Sequence, residues 1–376
     1  MKLLLTGGGT GGHVYPALAI AEALSEDGAF APLDVLFVGT RGGLEASIVP
    51  KAGLPTAFVS AAPLLRKVSP ALFRTLFANV AGFFQSLGVV GRFKPDVAVA
   101  TGGYVALPVV AALRCLRALR RSRAKVALLE ANAVPGLTNR LLEPLVDEVW
   151  LTALEPGTAS GAKGVVTGTP VRASMSRPLS AREARLTLGL DPSKTTVVVM
   201  GGSQGARSIN DAVARLVTER ELPPDWQILH VSGARDHADL VEREREARSP
   251  GVVHLVEYLE DPRAAYAAAD LVVARSGAST LGELAATRTP ALLVPFPFAT
   301  ANHQALNAAA FARGGAAYVV ADSELNAERL FEELQALLEP ARLAAMRAAA
   351  HEFAGDPRAA VRERVKRWLP AKNSLP

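Results

Sequence analysis

The chain has 376 residues, 49% of them hydrophobic and 20% charged, which excludes a disordered or fibrous protein and leaves room for two or three globular domains. The net charge is +5, and the excess is concentrated between Ser60 and Lys125, where eleven Lys or Arg stand against one acid, Asp96. A cationic half of this kind suits nucleic acid, anionic lipid or a phosphate-bearing substrate, and charge alone does not choose among them.

The amino-terminal sequence MKLLLTGGGTGGH has too short an apolar run for a signal peptide. The single cysteine, Cys115, excludes an intramolecular disulfide and fits a reducing compartment. We therefore expect a chain that stays in the cytosol.

Apolar runs of strand length alternate with helical stretches through both halves of the chain. The runs of the first half are KLLLTG, DVLFVG, DVAVATG, KVALLEA and EVWLTA, and those of the second half, after a turn at Gly168–Pro170, are TTVVVMGG, QILHVSG, VVHLVEY, DLVVARSG and PALLVPF. Continuously apolar runs indicate parallel strands that are covered on both faces. The pattern predicts an α/β protein with Rossmann-like domains at residues 1–163 and 164–340 and a helical tail at 341–376 that packs back on the first domain.

The first strand is followed by the glycine-rich turn GGGTGGH, Gly7 to His13, which opens a helix. Glycines let backbone amides approach a ligand closely, and a helix N-terminus attracts an anion. The pattern is not the dinucleotide fingerprint GxGxxG, so a dehydrogenase is the weaker interpretation. His13 stands where the turn becomes the helix, where it is either a general base for an attacking hydroxyl or a residue that caps the helix or orients a ligand.

A second glycine turn, MGGSQGAR from Met200 to Arg207, follows the first strand of the second half and resembles a phosphate cradle to which Ser203 adds a hydroxyl. Arg172, just past the Gly-Thr-Pro turn, is either a group that neutralises a departing diphosphate or a solvated surface residue. In RSGASTLGELAA, Glu283 either accepts ribose hydroxyls or supplies favourable charge near a helix N-terminus.

Metal-binding patterns are missing from the sequence, which has no Asp-x-Asp and no HxxxH or HxH pair among its six histidines. We therefore expect a metal-independent reaction without a cofactor, in which helix ends and Arg172 stabilise an anionic leaving group.

Seventeen uncharged residues lie between Arg74 and Arg92, too few and too polar for a membrane span of about 20 apolar residues. Four phenylalanines and five cations in and around this segment suit a surface that rests on anionic lipid; they are Phe73, Phe77, Phe83, Phe84, Arg66, Lys67, Arg74, Arg92 and Lys94. The alternative is a buried amphipathic helix.

Eight motifs taken in order resemble the MurG family, the bacterial transferases that make lipid II. They are GGGTGGHVYPALAIAEAL, GTRGGLEASIVPKAG, TGGYVALP, EANAVPGLTNR, GTPVR, GGSQGAR, RSGASTLGELAA and PFPFATANHQALNA, and the match covers about Met1 to Ala316. The resemblance implies a GT-B fold, two Rossmann-like doubly wound domains that face each other across a cleft. It also implies an inverting transfer of N-acetylglucosamine from UDP-N-acetylglucosamine to the muramyl C4 hydroxyl of lipid I, at the cytoplasmic face of the membrane.

The family pattern assigns roles to individual positions. Residues that match donor-binding positions are Thr10, Gly11, Gly12, Asn132, Arg172, Ser203, Leu259, Ala278, Ser279, Thr280, Leu281, Gly282, Glu283 and Gln304. Gly102, Gly103 and Tyr104 resemble an acceptor diphosphate site. His13 is the candidate base and Glu130 the reserve. The chain departs from the family at Leu129, Ala131 and Ala301, which leaves the contacts there open.

Three other functions compete with this interpretation. Another GT-B enzyme would use a UDP-sugar on a different lipid, such as diacylglycerol. An oxidoreductase would hold NAD in the glycine loops. A nucleotide-sugar or RNA-binding module would use the basic half, but the chain has no RNP-type motif and only 6% aromatic residues, so no nucleic-acid partner is expected.

Overall fold

The computed structural model describes residues 1–63, 70–152, 163–177, 179–202, 205–249, 251–259, 261–353 and 355–369. The chain divides into two compact units. The first comprises Met1–Ala173 with Asp356–Pro376, and the second comprises Ser174–Gly355. Two parallel-sheet Rossmann-like domains are what the alternating pattern predicted, and this part of the prediction is confirmed.

The first unit is built on a seven-stranded parallel sheet with the strand order β3-β2-β1-β4-β5-β6-β7. Its strands are β1 (Lys2–Thr6), β2 (Asp34–Gly39), β3 (Thr56–Phe58), β4 (Val97–Ala100), β5 (Lys125–Glu130), β6 (Glu148–Leu151) and β7 (Gly164–Val166). In β1, Leu3 and Leu5 pack into the core on one face and Leu4 into the core on the other. Both faces of the sheet are therefore buried, as the continuously apolar strands require.

In the described part of the chain, these strands are connected by the helices α1 (Gly11–Ser25), α2 (Glu45–Lys51), α3 (Pro70–Phe93), α4 (Ala106–Ala118) and α5 (Leu137–Leu142). The order of connection reverses between β1 and β4, so the loops leaving these two neighbouring strands run in opposite directions. Ligands of open α/β sheets bind at such a switch point, beyond the carboxyl ends of the strands. No helix in the described ranges is long and apolar enough to cross a membrane.

The second unit repeats this plan with a six-stranded parallel sheet of order β10-β9-β8-β11-β12-β13. Its strands are β8 (Thr195–Met200), β9 (Trp226–Val231), β10 (Val253–Val256), β11 (Leu271–Ala274), β12 (Ala291–Leu293) and β13 (Ala317–Val319). Here the order of connection reverses between β8 and β11. The second glycine turn follows β8 and the RSGAST turn follows β11, so both lie at the switch point.

The described residues of the second unit form the helices α6 (Ala181–Thr187), α7 (Arg207–Glu219), α8 (His237–Glu244), α9 (Arg263–Ala268), α10 (Ala278–Thr287), α11 (His303–Arg313), α12 (Ala327–Leu337) and α13 (Pro340–Phe353). Of these, α13 packs against α10 and α12. Its Met346 is buried in the core of the second unit.

The last helix, α14 (Pro357–Trp368), lies in the first unit and packs on α1. Val361 and Val365 enter the first unit's core, and Trp368 stacks on Trp150 with 5.9 Å between ring centroids. The division between the units differs from the predicted boundary at residues 163 and 164, because β7 pairs with β6 and extends the first unit to Ala173. The predicted tail is shared between the two units, with α13 in the second and α14 in the first.

Candidate functional site

Three loops of the first unit converge at the carboxyl ends of β1, β4 and β5. Gly102 and Gly103 have φ values of +98° and +80°, which favour glycine. A Cβ at Gly103 would lie 3.0 Å from His13 Nδ1, and one at Gly102 would lie 3.0 Å from His13 Cδ2 and 3.3 Å from Asn139 Oδ1. The fold thus brings the predicted acceptor turn against His13.

The imidazole of His13 is held through one nitrogen. Nδ1 lies 2.9 Å from the Gly8 carbonyl oxygen and 3.3 Å from Thr10 Oγ1. A carbonyl oxygen can only accept, so Nδ1 carries the proton and Nε2 keeps a lone pair. Desolvation lowers the pKa of His13, opposed by the Gly8 carbonyl and the charge of Glu45. A neutral histidine with an available Nε2 lone pair is suited to act as a general base.

Glu45, the first residue of α2, is a functional candidate that the sequence did not reveal. Its carboxylate is completely buried. Oε2 accepts from the Gly9 N–H at 3.1 Å, and Oε1 accepts from the N–H and hydroxyl of Thr40 at 3.0 and 2.7 Å. A Cβ at Gly8 would lie 2.5 Å from Oε1. Part of the glycine-rich turn therefore surrounds a carboxylate of the protein itself, and the Gly9 amide is already engaged. The only hint in the sequence was the position of Glu45 after two glycines in the second family motif.

The predicted donor residues Thr10, Gly11 and Gly12 form the start of α1. Thr10 is the N-cap, with extended backbone and no capping bond from its side chain. Gly11 packs against the ring of Tyr15, where a Cβ would lie 3.1 Å from Cε2. The guanidinium of Arg172 lies 5.2 Å from the centroid of the same ring. A cation thus stands beside the first turn of α1, whose leading amides have no partner within the helix.

Glu130 is buried after β5, and both of its oxygens accept hydrogen bonds. Oε1 accepts from the backbone and side chain of Asn132 at 2.9 and 3.2 Å, and Oε2 accepts from Asn139 Nδ2 at 2.7 Å. Burial raises the pKa of Glu130, while these amides act in the opposite direction. Glu130 therefore holds two asparagines, of which Asn132 is a predicted donor residue and Asn139 contacts the predicted acceptor turn.

In the second unit, the glycine turn leads from β8 into α7, and Ser203 lies outside the described residues. Gly205 has a φ of +73°, and a Cβ there would overlap the Ser232 carbonyl oxygen. Asn210, in the first turn of α7, donates to that same oxygen at 2.9 Å and to Asp236 at 3.0 Å. The Nε2 atom of the buried His230 lies 3.1 Å from Asn210 Oδ1. These hydrogen bonds therefore hold the start of α7 against the loop that follows β9.

The predicted donor turn Ala278–Glu283 forms the first half of α10. Glu283 Oε2 accepts from the hydroxyl of Tyr266 at 2.8 Å. Burial, together with Glu283, raises the pKa of Tyr266 well above its usual value, so the phenol stays protonated as a donor. The Ser279 hydroxyl is buried and has no hydrogen-bond partner in the described part of the chain. The side chain of Leu281 is buried, so a ligand would meet its backbone. Ala278, Thr280 and Gly282 are half-buried.

Gln304, the second residue of α11, is tied to neighbouring elements. Its Oε1 accepts from the Phe296 N–H at 3.0 Å, and its carbonyl oxygen accepts from Ser276 Oγ at 2.7 Å. Arg275, which the sequence did not single out as a site residue, donates to the Val294 and Pro295 carbonyls, to Asp322 and to Ser208. These bonds fix the ends of β11 and β12 relative to α7. Leu259 lies half-buried in the loop after β10.

Among the described residues, no three His, Cys, Asp or Glu side chains gather into a group that could hold a metal ion.

Comparison with known proteins finds similar sequences that cover most of the chain. Residues 3–151 match the glycosyltransferase family 28 N-terminal domain, and residues 196–362 match the family 28 C-terminal domain. A Moorella thermoacetica protein is 43% identical over 361 residues, 93% of this chain and 94% of its own length, and one from Desulforudis audaxviator is 40% identical over 370 residues, 96% and 95%. Both are named UDP-N-acetylglucosamine--N-acetylmuramyl-(pentapeptide) pyrophosphoryl-undecaprenol N-acetylglucosamine transferase. The crystal structure of Acinetobacter baumannii MurG is similar with a TM-score of 0.74 and 26% identity, covering 97% of this chain and 99% of that one.

Proposed function

Because this chain belongs to glycosyltransferase family 28, we propose that it moves N-acetylglucosamine from UDP-N-acetylglucosamine to lipid I, the undecaprenyl-pyrophosphoryl-N-acetylmuramyl-pentapeptide, and so forms lipid II. The observation that carries this proposal is the nearly full-length similarity to transferases of this one name. The GT-B fold and the position of His13 agree with it.

In the transfer step, the C4 hydroxyl of the acceptor sugar attacks the anomeric carbon of the donor. The hydroxyl proton passes to His13 Nε2 as the new oxygen–carbon bond forms. The bond from the anomeric carbon to the diphosphate oxygen breaks, and UDP leaves with the electron pair. Attack from the face opposite the leaving group converts the α linkage to β. A well-placed base of this type contributes about 10²–10⁴ in rate.

Two features are suited to the UDP-sugar. Arg172 beside the first turn of α1 would offset the charge of the departing diphosphate, together with the amides of Gly11 and Gly12. In the second unit, Glu283 would accept the ribose hydroxyls, and Tyr266 keeps one of its carboxylate oxygens in place. The other donor positions of the family pattern keep their proposed roles.

The acceptor is assigned to the turn of Gly102, Gly103 and Tyr104. Both glycines pack against His13 or its loop, and the Tyr104 hydroxyl lies 3.5 Å from Thr40 Oγ1. A diphosphate held at this turn would present the adjoining sugar to the imidazole. Leu129 and Ala131, which depart from the family pattern, are buried beside Glu130.

The surface of α3 is suited to the membrane that carries the acceptor. Phe73, Phe77 and Phe84 are 70%, 78% and 65% exposed, and Leu76 and Val80 continue the same helical face. Phe83 packs edge-on against Phe84, while Arg74, Arg92 and Lys94 are exposed. Arg66 and Lys67 lie outside the described residues. An apolar stripe flanked by cations fits peripheral binding to anionic lipid at the cytoplasmic face.

The test is release of UDP from UDP-N-acetylglucosamine, with EDTA present, with and without a lipid I analogue. Release that depends on the analogue is expected, and it would support both the acceptor and a metal-independent mechanism. Release with diacylglycerol but not with the analogue would transfer the acceptor assignment to another lipid. Release that EDTA abolishes and Mg²⁺ restores would contradict the metal-independent step.

A further inference from the structure

The peptide group between Gly8 and Gly9 lies between two side chains. Its carbonyl oxygen, from Gly8, is 2.9 Å from His13 Nδ1, and its N–H, from Gly9, donates to Glu45 Oε2 at 3.1 Å. In a trans peptide, the C=O and the N–H point in opposite directions. Glu45, one peptide group and His13 therefore form a continuous hydrogen-bonded series that ends at Nε2.

We propose that Glu45 is a positioning residue for sugar transfer, which acts on His13 through the Gly8–Gly9 peptide. The inference rests on the proposed function in one respect, that His13 takes the proton of the acceptor hydroxyl. When Nε2 accepts this proton, the imidazole becomes a cation. A carboxylate at the far end of the series stabilises that cation and keeps the Nδ1 proton directed at the Gly8 carbonyl.

The surroundings of Glu45 suit this role. The carboxylate is completely buried, and its hydrogen-bond donors are the neutral Gly9 and Thr40. No Lys or Arg forms an ion pair with it in the described ranges. A buried charge without a cationic partner has a long electrostatic reach, because little solvent screens it. The same charge opposes the desolvation that lowers the pKa of His13.

The glycines of this region make room for the carboxylate. A Cβ at Gly8 would clash with both oxygens of Glu45, and a Cβ at Gly43 or Gly39 would clash with its side chain. Three further titratable groups lie near the loop: Tyr104, whose ring would lie 3.0 Å from a Cβ at Gly9, and, at the first turn of α1, Tyr15 and Arg172. Among these side chains, Glu45 is the acid whose charge acts on His13.

The first measurement is the pKa of His13, followed by NMR with histidine labelled in the ring. The chain has six histidines, and the spectrum of His13→Ala assigns the signal. Glu45→Gln keeps the shape but removes the charge, so the pKa of His13 should fall by about one unit. Asp34→Asn is the matched control, because it removes an exposed carboxylate at the other end of β2, about 20 Å along the strand. An unchanged pKa in Glu45→Gln would overturn the proposal. This readout needs no activity, so it remains decisive even if the acceptor assignment fails.

The second measurement is kinetic. Glu45→Gln should lower kcat about tenfold with KM for UDP-N-acetylglucosamine unchanged, and the acid limb of its pH profile should move to lower pH. In the His13→Ala background the same substitution should change kcat less than twofold. An equal loss in both backgrounds would mean that Glu45 supports only the fold. If Glu45→Gln does not fold, Glu45→Asp, which keeps the charge on a shorter side chain, replaces it in both the unchanged and the His13→Ala backgrounds. A loss of kcat in the unchanged background alone supports the proposal, and an equal loss in both backgrounds overturns it. Full activity of His13→Ala would instead remove the base assignment itself.

Discussion

The two candidate bases, His13 and Glu130, differ in whether the atom that would take the proton already accepts hydrogen bonds. The Nε2 of His13 accepts no hydrogen bond from the described part of the chain, whereas the oxygens of Glu130 accept three from asparagine N–H groups. A proton acceptor needs an available lone pair in reach of the substrate, so His13 is the better candidate. Glu130 would first have to give up bonds that hold Asn132 and Asn139.

At the proposed donor site, the hydroxyl of Tyr266 is the residue-scale feature to test. Tyr266→Phe removes the bond to Glu283 and leaves a carboxylate oxygen without that donor. We expect KM for UDP-N-acetylglucosamine to rise about fivefold, which corresponds to about 1 kcal/mol, while kcat changes little, because the ribose is bound alike in ground and transition state. Steady-state kinetics with varied donor check this. Tyr318→Phe, which removes a hydroxyl from β13 in the same unit, is the control and should leave KM unchanged.

At the scale of an element, the two faces of α3 differ in exposure. Thr75, Ser86 and Val90 are buried on one side, where α3 packs on α4, while the apolar stripe that includes Phe73 and Phe77 is exposed on the other. Exposed apolar rows of this length on a helix indicate a surface that something covers. The buried amphipathic helix considered from the sequence therefore describes only one side of α3.

Replacing Phe73 and Phe77 together by Ser should weaken binding to anionic vesicles more than tenfold, because each buried Phe contributes about 1.5–3 kcal/mol. Cosedimentation with vesicles of anionic and of neutral lipid, at low and high salt, measures the effect. Raising the salt should weaken binding of the unchanged protein to anionic vesicles. Leu186→Ser, at another exposed apolar residue, is the control. If the Phe73 and Phe77 double variant binds both kinds of vesicle as well as the unchanged protein does, the stripe has no role in membrane binding.

At the scale of the whole molecule, the end of the chain contributes to both units. Helix α13 completes the core of the second unit, and α14 completes that of the first. Four ion pairs add to the apolar contacts of α14: Arg358 with Glu22 and with Glu26, Arg364 with Glu148, and Lys366 with Asp27. The first unit is thus formed from two stretches of sequence that are far apart.

Val365→Ala in α14 should destabilise the first unit by about 2 kcal/mol, because it leaves a small cavity in that core. Hydrogen exchange followed by mass spectrometry should then show faster exchange in β1 and β4 and unchanged exchange in β8 and β11. Met346→Ala in α13 is the reciprocal variant and should affect the second unit alone. Faster exchange throughout the chain in both variants would mean that the two units unfold as one.

The sequence by itself determined the elements and the position of the loops, since continuous apolar runs and glycine turns are local features. It singled out the turns at Gly7–His13 and at Ala278–Glu283 as candidate sites, because they follow strands of a parallel sheet. Only the tertiary structure revealed Glu45, 36 residues from Gly9, and Tyr266, 17 residues from Glu283. Strand order decides which loops meet, and local patterns carry little of that order. The tertiary structure also divided the tail, because α13 packs into the core of the second unit and α14 into that of the first.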